Sequence, residues 1–88
     1  MVREGHLLAV FNSAHRVMKA EALLKGLKLD VLLIPAPREL MTDCGLAIRF
    51  SSDIHDAVME ALEREQLLPA FISRRENKTY HTVWGEKA

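Results

Sequence analysis

Short apolar runs alternate along the chain with two longer segments in which apolar residues recur at helical spacing. Four of these runs predict β-strands, over 6–11, 30–34, 45–50 and 70–73. A turn at 76–78 then predicts a fifth, edge strand over 79–84. The first two runs are apolar on both faces, which is typical of strands in the interior of a sheet.

Two amphipathic helices are predicted between the strands. The first runs from N-cap candidates at 12–13 to about Lys25, with Gly26 as its stop. The second runs from N-cap candidates at 51–53 to about Glu65. The residues predicted to face the core are Ala14, Val17, Ala20, Leu24 and Leu27 in the first helix, and Ile54, Ala57, Val58, Ala61 and Leu62 in the second.

The order of these elements, βαββαβ, is that of the ferredoxin-like sandwich. We therefore predict an α+β fold with both helices on one face of an antiparallel sheet, because right-handed crossovers place them there. The opposite face would carry Leu8 and Val10, or else Leu7, Ala9 and Phe11, and it is apolar either way. We expect that face to pair with a second copy in a homodimer, or to be covered by the C-terminal segment.

Length and charge narrow the class of protein. The 88 residues predict one domain, with its core at about 6–75 and an extension at about 76–88. Twelve basic and twelve acidic residues give a net charge of zero, which argues against binding nucleic acid or an acidic membrane through bulk charge. Apolar runs such as 31–34 are too short to span a bilayer, and residues 1–5 show no secretory signal. We expect a cytoplasmic protein.

The chain has a single cysteine, Cys44, next to the start of the third predicted strand. One cysteine excludes an intramolecular disulfide and a thiol-only metal cage, and the four histidines show no ligand spacing, so no metal site or cofactor is predicted. In the predicted topology the third strand lies between the first two and antiparallel to both. Cys44 is therefore expected near Asn12, Ser13 and the start of the first helix, with Pro35 and Pro37 on the same rim.

This position suits a reactive thiol. Backbone N–H groups at a helix start favour a nearby anion, and His15 could add a proton relay or a positive charge. Arg38 could supply further charge, whereas Asp43 works against a thiolate. Gly45 either leaves room for a group on the sulfur or supplies a positive φ.

Each of these residues also has a purely structural interpretation. Cys44 could be a buried packing residue, and His15 an ordinary exposed histidine at a helix start. Ser13 is expected to be a cap rather than a nucleophile, because no catalytic triad is evident. Pro35 and Pro37 could do no more than rigidify the exit from the second strand.

Three segments together resemble the selenium/sulfur carrier protein-like family, whose members are short single-domain bacterial and archaeal proteins. They are Phe11–His15, Pro35–Glu39 and Cys44–Phe50. The resemblance covers about 6–73, and its most specific part is Pro-x-Pro followed by Cys-Gly at the start of a strand.

The resemblance implies that Cys44 holds sulfur or selenium as a persulfide or selenylsulfide. It also implies that Gly45 belongs to the carrier loop, and that Ser13 and His15 form the adjoining helix start. Such a carrier is not itself an enzyme: it takes the chalcogen from a protein donor, such as a cysteine desulfurase-type enzyme, and passes it to an acceptor protein. The sequence departs from the small polar residues expected before the cysteine at Met41–Asp43.

Two other functions fit parts of the sequence. A non-catalytic, ACT-like regulatory or ligand-binding module would dimerise through its sheet, and Cys44 would then be incidental. A nucleic-acid binder is the weaker alternative, because Tyr80, Trp84 and the three phenylalanines form no evident stacking platform.

Overall fold

Two helices pack on one face of a five-stranded antiparallel sheet in the computed structural model, which describes residues 2–40 and 42–86. The strands and helices are β1 (Leu7–Val10), α1 (Ala14–Gly26), β2 (Val31–Pro35), β3 (Leu46–Phe50), α2 (His55–Arg64), β4 (Phe71–Glu76) and β5 (Thr79–Gly85). Short 3-10 turns cover Arg38–Leu40 and Ser52–Ile54. The predicted α+β fold is confirmed.

The strands lie in the order β2-β3-β1-β4-β5. β3 lies between β1 and β2 and runs antiparallel to both, as the sequence predicts. The first four strands keep the ferredoxin-like order, and β5 adds one antiparallel strand outside β4. β1 is therefore the central strand, paired along its whole length with β3 on one side and β4 on the other.

β1 is buried on both faces of the sheet. Its four residues, and Phe11 after it, are each at most 2% exposed. The face formed by Leu7, Ala9 and Phe11 packs against the helices, where the buried residues are Val17, Ala20 and Leu24 of α1 and Val58, Ala61 and Leu62 of α2. These six helix residues are among those predicted to face the core.

Three helix residues predicted to face the core are exposed instead. Ala14 lies at the start of α1, and Leu27 follows its end, where the side chain is 47% exposed. Ala57 is exposed because it lies about 100° around the helix axis from buried Val58, at the margin of the apolar stripe. The second helix also begins later than predicted, since Ser51 caps the 3-10 turn by accepting a hydrogen bond from the Asp53 N–H at 3.2 Å.

The second face of the sheet is covered by the chain itself. Leu8 and Val10 point to this face and are 0% and 2% exposed. They form a cluster with Ala47, Phe71 and Leu40, which comes from the β2–β3 connection and is 1% exposed. Leu8 and Val10 are therefore buried by residues of the same chain. The homodimer, which was expected to pair through this face, stays a prediction.

The C-terminal segment contributes little to this cover. Val2, Ile34, Ala36, Ala70 and Tyr80 pack around the cluster, and of these only Tyr80 comes from β5. Most of the C-terminal strand extends the sheet sideways instead of folding across it.

β4 and β5 form a hairpin with a tight two-residue turn and one irregularity in its register. Asn77 and Lys78 both have positive φ, 51° and 65°, as a two-residue turn of primed type requires. Further along, Ile72 pairs with Trp84 while Ser73 pairs with Thr82, so β5 contains one extra residue in a bulge. The predicted turn and edge strand are confirmed. Neither described helix has the length and apolar content needed to cross a membrane.

Replacing Leu40 should test its role as the cover of the second sheet face. We expect Leu40→Ala to lower the free energy of unfolding by about 2–4 kcal/mol, because it opens a cavity over Leu8 and Val10. Leu32→Ala is the matched control, since Leu32 lies on β2 and is 40% exposed; its loss should be under about 1 kcal/mol. Equal losses in urea unfolding of the two variants would contradict the assignment.

Glu4 should make the stability of the hairpin depend on pH. Its carboxylate accepts the N–H groups of Asn77 and Lys78 at 3.0 and 3.3 Å, and these bonds lower its pKa from the ordinary 4.5. A lowered pKa stabilises the fold above pH 4.5, and this contribution is lost as the pH falls through the folded-state value. Glu4→Gln should therefore lower the urea midpoint at neutral pH and converge with wild type in acid. Exposed Glu63→Gln is the control, and an equal effect there would refute the prediction.

Candidate functional site

Cys44 lies where the connection from β2 enters β3, beside the end of β1. The register pairs Val10 with Ala47, which brings the residues before β3 next to Phe11. The Cys44 Sγ donates to the Phe11 carbonyl oxygen at 3.4 Å and to the Leu46 carbonyl oxygen at 3.3 Å. The position expected from the topology is therefore present at the end of β1.

The immediate surroundings of the sulfur differ from the expected ones. Its two backbone partners are carbonyl acceptors, whereas the sequence predicted the N–H donors of a helix start. Ser13 instead caps α1 by accepting the Arg16 N–H at 3.1 Å. Carbonyl oxygens accept a hydrogen bond from a thiol and repel a thiolate. Attack by this sulfur on another molecule therefore requires it to leave its position against the core.

Thr42 and Gly45 shape the turn that carries the cysteine. The Thr42 Oγ1 accepts the Gly45 N–H at 2.8 Å and lies 3.7 Å from the Cys44 Sγ. Gly45 has φ 71°. A β-carbon added to Gly45 would have no heavy atom within 4 Å, apart from those of the glycine and its two neighbours in the chain. The positive φ therefore accounts for this glycine. Met41, which precedes this turn, lies outside the described residues.

An open cavity of about 410 Å³ lies beside this turn. It is lined by Ala36, Pro37, Arg38, Thr42, Asp43 and Gly45. The backbone closes one side, because the Ala36 N–H donates to the Gly45 carbonyl oxygen at 2.9 Å. The cavity thus combines an apolar wall, one guanidinium, one carboxylate and one hydroxyl.

The chain matches a family model described as "Putative Se/S carrier protein-like" over residues 6–74. The protein belongs to this Se/S carrier-like family. The matched residues include Cys44, the turn around it and all of β1 to β3, and they end before β5. No curated protein and no solved structure matches the chain.

In this family member, the other residues singled out in the sequence lie at the end of β2, on the connection that follows it and at the start of α1. Pro35 is the last residue of β2 and pairs with Leu46, and Pro37 follows on the cavity wall. Arg38 is exposed at the cavity and His15 is exposed on the first turn of α1. Arg49 lies roughly 16 Å along β3 from Cys44, beside Leu8, and is not part of the site.

Thr42 is the site residue that the sequence analysis missed. A threonine three residues before a glycine is a known turn pattern, in which the hydroxyl bonds to a nearby backbone group. Thr42-x-x-Gly45 carries that pattern, but the pattern is too common in loops to indicate contact with a sulfur.

A shifted pKa lies at the other end of β1, away from Cys44. Partial burial lowers the pKa of His6, and Arg49 and Arg3 lower it further. Its Nδ1 accepts the Arg3 N–H at 3.0 Å. Among residues 2–40 and 42–86, no group of three or more His, Cys, Asp or Glu side chains could hold a metal ion.

A side chain at position 45 should strain the backbone of the turn without gaining any packing contact. We expect Gly45→Ala to lower the free energy of unfolding by roughly 1–2 kcal/mol, because alanine disfavours φ 71°. Gly26→Ala at the end of α1 is the matched control, since its surroundings are equally open and its φ is not positive. That change should be neutral or stabilise by up to about 1 kcal/mol. If thermal or urea unfolding shows the same effect for both variants, the turn does not depend on glycine.

Proposed function

We propose that this protein carries sulfur or selenium on Cys44, as a persulfide or selenylsulfide, and passes it to an acceptor protein. The observation that carries the proposal is the family match, which covers the cysteine and its turn. The described geometry supports it, because the only cysteine of the chain lies on a turn next to an open cavity.

The chemistry requires no oxidant. A donor persulfide R–S–SH gives up its outer sulfur to the Cys44 sulfur, the donor S–S bond breaks, and the proton of Cys44 ends on the donor thiol. The products are Cys44–S–SH and R–SH. Delivery is the same exchange with an acceptor, and it returns Cys44 to the thiol.

The donor and the acceptor supply the catalytic groups, so the carrier acts without turnover of its own. A cysteine desulfurase-type enzyme is the donor that fits this scheme, because it presents a protein persulfide. A reducing cytoplasm suits the scheme as well, since it keeps a lone thiol free to be loaded.

Access of a partner to the sulfur requires a local movement. The Cys44 Sγ contacts two carbonyl oxygens at 3.3–3.4 Å, and each of these bonds is weak because sulfur is a weak donor. Thr42 and Gly45 of the same short turn line the cavity, whereas the Cys44 side chain packs with the core on the helix side of the sheet, so this turn must open for a partner to reach the sulfur. The sheet itself does not have to move.

The flanking residues have supporting roles in this proposal. Arg38 supplies positive charge at the cavity, and Pro35 and Pro37 fix the path of the chain out of β2. Ser13 fixes the start of α1 behind the sulfur, and exposed His15 offers a proton acceptor to an approaching partner.

The ACT-like module receives no support from the family match. We therefore adopt the carrier function. It fits a homodimer and a single chain equally well.

Cys44→Ser should abolish loading while leaving the protein folded. We expect wild type to gain the mass of one sulfur atom after incubation with glutathione persulfide or with a cysteine desulfurase and L-cysteine. The serine variant should gain none, and its melting temperature should stay close to that of wild type because a hydroxyl can donate to the same carbonyls. Intact mass spectrometry reads both.

Wild type alkylated on Cys44 beforehand is the control for loading at other side chains. Sulfur retained by the serine variant, or no loading of folded wild type by either donor, would rule the proposal out.

A further inference from the structure

A second cavity lies on the sheet face opposite the helices. It measures about 410 Å³ and is lined by Val2, Ile34, Pro35, Pro37, Arg75 and Tyr80. Val2, Ile34 and Tyr80 also pack against the cluster of Leu8, Val10 and Leu40, which places the cavity on that face. Cys44 packs with the core on the helix side, so this cavity has no part in the contacts of the thiol.

The wall of this cavity is mainly apolar and is rigid on one side. Two prolines and two aliphatic side chains form most of it. Each proline has a fixed φ, so the end of β2 and the residues after it keep their shape. Sites for small molecules typically measure about 300–1,000 Å³ and combine such an apolar wall with a few placed polar groups. The cavity therefore has the size and the wall of a small-molecule site.

Arg75 and Tyr80 supply the polar groups. They face each other across β4 and β5, and both side chains are half-buried. The Arg75 guanidinium donates to the Tyr80 hydroxyl at 3.1 Å and lies 5.5 Å from the centre of the tyrosine ring. A guanidinium has five N–H donors, and a hydroxyl that accepts one bond keeps its own proton. The pair therefore holds its position and still has donors for a further acceptor.

The charge at the cavity is positive. The guanidinium stays protonated at every physiological pH. Glu4 is a carboxylate that interacts with Arg75, but its oxygens accept the Asn77 and Lys78 N–H groups, and these bonds lower its pKa more than Arg75 does. No carboxylate is among the described residues that line the cavity. The cavity is therefore complementary to an anion that also has apolar surface to bury.

We propose that this cavity binds a small organic acid with an apolar body. Its carboxylate accepts hydrogen bonds from the Arg75 guanidinium and the Tyr80 hydroxyl, which is a strong pairing because both partners of the first contact are charged. Its hydrocarbon part lies against Ile34 and the two prolines.

This inference goes beyond the proposed carrier function. Val2, Arg75 and Tyr80 lie outside the residues 6–74 that the family model matches, so the family match does not account for the polar half of the cavity. The binding of the acid also involves no chemistry at Cys44.

Three probe molecules test the class of ligand. Calorimetric titration of wild type with 3-phenylpropionate should show saturable binding at millimolar concentration. The neutral amide, 3-phenylpropionamide, should bind roughly tenfold more weakly, because it has no charge for the guanidinium. Acetate should show no saturation, because it has almost no apolar surface to bury.

Three variants test the location. Arg75→Gln should weaken the binding of 3-phenylpropionate roughly tenfold, and Tyr80→Phe, which keeps the ring, roughly threefold. Arg74→Gln is the matched control, because Arg74 is the neighbouring residue of β4 and lines a different cavity with Leu7 and Asp53. It should bind as wild type does. Urea unfolding checks that all three variants are folded.

The outcomes separate this site from the carrier function. Weakening by Arg75→Gln and Tyr80→Phe, but not by Arg74→Gln, would establish the site. Equal binding of the acid and the amide, an equal loss in Arg74→Gln, or no saturable binding to folded wild type would overturn it. A wild type that sediments as a dimer and binds no acid would assign this face to a second copy instead. Cys44→Ser should bind the acid like wild type, so the loading of Cys44 and the binding of the acid can fail independently.

Discussion

The pairing of β3 with the doubly buried strand β1 is the constraint on which the rest of the structure depends. β1 has no polar side chain among its four residues, so it is stable only in the middle of the sheet with both of its faces covered. The helices cover one face, and Leu40 packs on the other together with partly buried residues such as Val2 and Tyr80. The same pairing brings the turn before β3 against Phe11, and thereby determines where the cysteine lies.

The site is built mainly from backbone groups, which explains how so small a domain can hold the thiol in a defined place. Two carbonyl oxygens direct the sulfur inward, and a single backbone N–H fixes the one hydroxyl that lies near it. Backbone groups at strand ends are positioned by the sheet itself. The side chains of Arg38 and Asp43 only adjust the charge at the opening of the cavity.

Periodicity predicted the strands and helices because burial selects apolar residues at regular spacing, and the topology then placed Cys44 at the end of β1. The features it missed depend on single contacts between distant segments. Leu40 lies in a mostly polar connection, and nothing in its spacing indicates that it packs on a sheet face. The orientation of the sulfur toward carbonyl oxygens depends on a χ1 rotamer, which a one-dimensional pattern does not encode. Ala57 and Leu27 were misplaced because pattern matching extends helical faces beyond their true margins.

The two edge strands of the sheet also limit how the protein can aggregate. Open edge strands are templates for strand addition by other chains, and β2 and β5 are the two edges here. β2 is apolar but only five residues long, and it ends in a proline that has no N–H to donate. β5 is longer, but its bulge at Val83 interrupts the repeat of hydrogen-bonding groups that an incoming strand would need. Growth of the sheet beyond five strands is therefore disfavoured at both edges, although much of the chain is apolar.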